Sequence, residues 1–151
     1  MQNYQYETTP YDHQRVALED SWSAEYYALF MEMGTGKTKV VIDTMAILYE
    51  AEKLKAVLII APKGVYDNWV KGEIPIHLPT RIPRQICRWI PSKTKKFEEE
   101  LTDFIVSKEP FLKIFVMNVE AFSTSRGTDA ATAFLYQNPA NMVVVDESTT
   151  I

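Results

Sequence analysis

Apolar residues follow two alternating rhythms along this chain. The continuous apolar run at residues 56–61 reads as a strand buried on both faces, since a half-exposed strand would alternate apolar with polar instead, and residues 112–116 and 141–145 read as strands too. Residues 26–33, built on an apolar run over 26–30, read as a further strand, and 85–90 as a less hydrophobic one. Between them the spacing changes to three and four. Residues 37–51 place Val40, Val41, Thr44, Ile47 and Leu48 on one helical face. A later helix, capped by Ser92 or Thr94, lines up Phe97, Leu101, Phe104 and Ile105. Shorter helical patterns cover 11–20, 65–72 and 129–136, and Pro62 and Pro110 punctuate the chain.

Strands alternating with helices at these lengths predict an α/β fold with a mostly parallel sheet and helices on both faces. The 151 residues fit one domain, 1–151, because a domain typically takes about 100–200 residues. Ligands in such sheets bind beyond the carboxyl ends of the strands.

Composition narrows the class only a little. With 46% hydrophobic and 24% charged residues the chain is an ordinary globular one, and no apolar run approaches the roughly 20 residues of a membrane span. Residues 1–10 are polar and tyrosine-rich, unlike a secretory leader. Cys87 is the only cysteine, so no internal disulfide forms, and a cytoplasmic location, including that of a viral protein in its host, fits. The net charge of −4 means that any nucleic-acid contact must come from local patches.

The chemistry sits at two strand ends. Met31-Glu32-Met33-Gly34-Thr35-Gly36-Lys37-Thr38 runs from a strand through a glycine turn into a helix. Backbone N–H groups of such a turn, with the positive end of the helix dipole, cradle phosphate. Gly34, Thr35 and Gly36 would form the cradle, Lys37 would reach the β/γ-phosphates of ATP, and the Thr38 hydroxyl would ligate Mg²⁺. Met31 stands where the strict phosphate-loop pattern has its first glycine. At the end of the last strand, Asp146-Glu147 supplies two carboxylates whose side chains diverge. Asp146 would hold Mg²⁺ and Glu147 would orient an attacking water.

Residues 31–38 resemble motif I of superfamily 2 helicases, where the first glycine is commonly replaced, and their wording is most similar to the Swi/Snf-type translocase branch. Pro10-Tyr11-Asp12-His13-Gln14 resembles the adenine-reading Q motif, in which the Gln14 amide would pair with the N6/N7 edge. Ala61-Pro62-Lys63, followed by Trp69, resembles motif Ia, and 117–122 resembles motif Ib. Residues 146–149 resemble motif II, with Thr149 at the usual histidine position. The resemblance spans nearly the whole chain and implies a RecA-like P-loop lobe of a DNA-dependent ATPase, with Lys63 and Asn118 on the nucleic-acid backbone. It implies single-stranded or duplex DNA as the track; RNA stays open because backbone contacts do not name the sugar. It also implies a truncated N-terminal ATP-binding domain without the second RecA-like lobe. That lobe's arginine finger is worth roughly 10³–10⁵ in rate, so the chain alone is expected to be nearly inactive.

Two other classes compete. One is an autonomous nucleotide- or partner-binding module without motor activity. The other is a small-molecule kinase, against which stands Glu147, since a kinase must exclude the water that this glutamate suits. The stretch 81–96 carries Arg81, Arg84, Arg88, Lys93, Lys95 and Lys96 around Trp89 with no acidic residue. It reads either as phosphate contacts with base stacking or as a solvated edge strand whose charges deter pairing. Trp69 reads as a packing residue, and His13, His77 and Cys87 lack zinc-ligand spacing.

Overall fold

The structure, a computed structural model, describes residues 27–31, 37–91 and 94–146. Five strands form one sheet: β1 (Tyr27–Met31), β2 (Ala56–Ala61), β3 (Arg84–Arg88), β4 (Leu112–Asn118) and β5 (Asn141–Asp146). Their order is β1-β5-β2-β4-β3, and every neighbouring pair is parallel. All the carboxyl ends therefore share one edge.

Strand parity sorts the core into two layers, because successive side chains point to opposite faces. Val57, Ile59 and Ala61 of β2, Leu112, Ile114 and Val116 of β4, and Met142 and Val144 of β5 face one cluster. Helix α1 (Lys37–Glu50) covers that face with a helical segment made of α2 (Tyr66–Asn68), a π-helical turn (Trp69–Glu73) and α3 (Ile74–His77). Ala56, Leu58, Phe115 and Met117 face the other cluster, under α4 (Lys95–Val106) and α5 (Ser125–Gln137). Helices thus lie on both faces of a parallel sheet, as the alternation of patterns predicts.

The second layer is aromatic. Phe104 and Phe134 stack with ring centroids 5.6 Å apart, and Phe115 meets Phe134 edge-on at 5.4 Å. Thr94 caps α4 by accepting the Phe97 N–H at 3.3 Å, which resolves the choice between Ser92 and Thr94. Phe97, Leu101, Phe104 and Ile105 are its buried residues, as their spacing predicts.

Several elements differ from expectation. Helix α1 is buried almost all round, including Ile42, Asp43, Met45 and Ala46, so the single apolar face was too narrow a reading. Its buried cation Lys39 pairs with Asp43 at 2.7 Å, one turn on. The helix expected over 65–72 runs on to His77 through the π-helical turn, and Pro75 is accommodated in the first turn of α3. Helix α5 begins at Ser125 rather than 129, where the Thr124 side chain caps it. Among the described residues, no helix is long and apolar enough to cross a membrane. The helix expected over 11–20 lies outside the described residues.

Candidate functional site at the carboxyl edge of the sheet

Parallel pairing fixes what meets at this edge. Met31, the last residue of β1, pairs in register with Asp146, the last of β5. Ala61, the last of β2, pairs with Asn118, the last of β4. The two strand ends that carry the phosphate-loop approach and the acidic pair therefore lie side by side. Lys37 opens α1, and the first turn of that helix has no acidic residue to offset its positive end. Thr38 follows it, buried.

Asp146 has the parity of Met142 and Val144, so it faces the layer of α1 and Trp69. It is 1% exposed, and its Oδ2 accepts the Trp69 indole N–H at 3.0 Å. A carboxylate this deep needs polar partners, and the indole supplies one. The sequence reading placed Trp69 in packing alone; it does pack, but it also reaches across 77 positions to the acid. No spacing rule signals such a pair. A buried carboxylate is the hard-oxygen type of ligand that Mg²⁺ prefers, and the Thr38 hydroxyl expected to join it is of the same type. Among the described residues there is no group of three or more His, Cys, Asp or Glu side chains that could hold a metal ion.

The other expected residues are placed unequally. Lys63 is exposed, in a turn after β2 closed by the Val65 N–H to Pro62 carbonyl bond of 2.9 Å. Asn118 is half-buried, and its Nδ2 donates to Glu120 Oε2 at 3.0 Å. It lines a cleft of about 400 Å³ with Trp89, Glu120, Thr124 and Arg126. Gln14, Gly34, Thr35, Gly36 and Glu147 lie outside the described residues, as does the Lys37 side chain.

The three arginines of the basic stretch have partners within the fold, while Lys95 and Lys96 are exposed. Arg81 pairs with Glu50 at 2.9 Å, Arg84 Nε donates to the Ile82 carbonyl at 3.2 Å, and Arg88 pairs with Asp67. Trp89 is 3% exposed and packs edge-on against Phe97 and Phe115. Buried so, Trp89 is closed to base stacking, and β3 is one of the two outer strands of the sheet, as the edge-strand reading has it.

Comparison with known proteins agrees with this architecture. The family model described as "Type III restriction enzyme, res subunit" (ResIII) matches residues 7–148. No curated protein matches the chain. Among solved structures, the Sulfolobus solfataricus SWI2/SNF2 ATPase core in complex with dsDNA is similar, with a TM-score of 0.61 at 14% identity over 99% of this chain. At that identity the likeness is one of fold. The chain spans about a third of that protein's length, 34%.

Proposed function

We propose, starting from the fact that this chain belongs to the type III restriction enzyme, res subunit family and forms a superfamily 2 helicase-like RecA-like lobe, that it binds ATP·Mg²⁺ at the carboxyl edge of its sheet as part of a nucleic-acid-dependent ATPase. The observation that carries this reading is the register of Met31 with Asp146. It brings the end of the strand before Gly34-Thr35-Gly36-Lys37 beside the buried acid.

Phosphoryl transfer asks the protein chiefly for position and charge compensation. The N–H groups of Gly34, Thr35 and Gly36 hold phosphate oxygens at the N-terminal end of α1. Lys37 places a cation against the phosphates. Thr38 and Asp146 would hold Mg²⁺, which when bound would offset the phosphate charge. Glu147 accepts a hydrogen bond from the attacking water and orients it. Gln14 reads the adenine edge through one donor and one acceptor.

The track we propose is DNA, with Lys63 and Asn118 on its backbone at the edge where β2 and β4 end. The Sulfolobus core carries duplex DNA in its structure, and this chain has the fold of about a third of it. RNA would satisfy the same backbone contacts. A second RecA-like lobe or partner chain would supply the arginine finger, worth roughly 10³–10⁵ in rate, so this chain alone should turn over little ATP.

Calorimetry and turnover test the reading together. The chain should bind Mg·ATP, and Lys37→Ala should weaken that binding strongly with an unchanged melting temperature. Glu147→Gln should keep binding and lose residual hydrolysis. Equal ATP binding by the Lys37→Ala variant would overturn the phosphate-loop assignment. Binding without any nucleic-acid stimulation, even with a second lobe added, would instead favour a nucleotide-binding module that does no motor work.

A further inference from the structure

The Trp69 indole is fully buried, and a buried indole N–H needs an acceptor. The acceptor it finds is Asp146 Oδ2, the last residue of β5, at 3.0 Å. Trp69 opens the π-helical turn Trp69–Glu73, a geometry frequent at functional sites. The segment leading into it is anchored twice at the sheet edge. Asp67, two residues earlier, pairs with Arg88, the last residue of β3, and Trp69 bonds to the last residue of β5. The same segment follows directly from β2 and its exposed Lys63 turn.

We propose that Trp69 is a positioning residue for the Asp146 carboxylate. Its N–H occupies one carboxylate oxygen and fixes the rotation of the group, so that the carboxylate meets the cation in a single orientation. This rests on the reading of Asp146 as a Mg²⁺ ligand. Packing alone does not account for the pair, because a phenyl ring would fill much of the same space with no polar atom to satisfy. Hydrogen bonds that orient ligating side chains are commonly worth about 10–100-fold in metal affinity.

The test separates the bond from the packing and uses no turnover. In an ¹⁵N spectrum of the whole chain, the Trp69 indole resonance, identified by its loss in Trp69→Phe, should shift in Asp146→Asn. Calorimetric titration of Mg²⁺ into the chain saturated with ADP gives a midpoint for the parent and each variant. Trp69→Phe should bind metal-free ADP like the parent and need roughly 10–100-fold more Mg²⁺ to reach its midpoint. Replacing Trp69 by benzothienylalanine, which keeps the indole shape without the N–H, should give the same shift even where Trp69→Phe unfolds. An unmoved midpoint in the benzothienyl variant, with Asp146→Asn still abolishing the Mg²⁺ response, overturns the positioning role. A Mg²⁺ response that survives Asp146→Asn overturns the metal-ligand reading itself. An indole resonance indifferent to Asp146→Asn overturns the bond.

Discussion

The Arg126 guanidinium lies over the Trp89 ring, 4.9 Å from its centroid, and donates through Nε to Glu98 Oε1 at 2.7 Å. Trp89 is thereby closed beneath a cation that α4 already neutralises. An exposed stacking tryptophan can be removed with little effect on stability, whereas this one is a core residue. Trp89→Ala should cost about 3–5 kcal/mol, as large aromatic truncations in cores do. Urea denaturation followed by circular dichroism measures it. A variant as stable as the parent but weakened in nucleic-acid binding would restore the stacking role that burial rules out.

Gly127, the third residue of α5, is fixed by a close approach. A Cβ built there would lie 2.2 Å from the Ala121 carbonyl oxygen. That oxygen cannot withdraw cheaply, since it accepts the Thr124 N–H at 3.1 Å and the Thr124 hydroxyl at 2.7 Å. Alanine ordinarily gains about 1 kcal/mol over glycine inside a helix. Here the clash outweighs that gain, and Gly127→Ala should destabilise by about 1–3 kcal/mol. A raised urea midpoint would show that the 3₁₀ turn Val119–Ser123 yields freely.

The strands and the sheet were legible because burial on both faces leaves a plain mark: Ala56–Ala61 is apolar at every position. The two motif strands were legible as chemistry because glycine, lysine and paired acids are rare company for such runs. What stayed hidden was long-range or cooperative. The all-round burial of α1 does not show in its periodicity, since Lys39 and Asp43 neutralise each other on a side that looks polar. The π-helical turn carries the chain to His77 through a proline that sequence rules read as a stop. The pairing of Arg81 and Arg88 does not show in the run 81–96, because their partners Glu50 and Asp67 lie on other elements. Trp69 looked like filling because its acceptor is 77 positions away.

Lys113 points into the aromatic layer from β4, 3% exposed, and its Nζ donates to the Ile105 carbonyl at 3.0 Å and to Asn138 Oδ1 at 3.1 Å. Burial, and after it the nearby Lys108, pushes its pKa below the ordinary 10.5. Below the folded-state value both folded and unfolded chains carry the charge, and the burial penalty is complete. Between that value and 10.5 the unfolded chain binds more protons, so stability rises with pH; above 10.5 both are neutral and the penalty is gone. Lys113→Met keeps the apolar stem and removes the charge. Its stability, measured by urea denaturation from pH 8 upward, should lack the alkaline rise that the parent shows. Parallel slopes in parent and variant would mean that Lys113 titrates as a free lysine does.

Gln14 carries the proposed choice of base. A glutamine amide presents one donor and one acceptor in a plane, which matches the N6/N7 edge of adenine and mismatches guanine, where position 6 is an acceptor. A bidentate pair of this kind discriminates by about 1–3 kcal/mol, roughly a factor of 5 to 150. Gln14→Ala should therefore lower ATP affinity toward that for GTP while leaving triphosphate binding as such in place. Lys37→Ala should do the reverse, weakening both nucleotides together and leaving their ratio alone, because the phosphates are common to both. Competition of ATP and GTP for a fluorescent nucleotide on the two variants reads both quantities at once. An unchanged ATP-to-GTP ratio in Gln14→Ala would place base recognition on some other residue, while the phosphate site would stand on the Lys37 result.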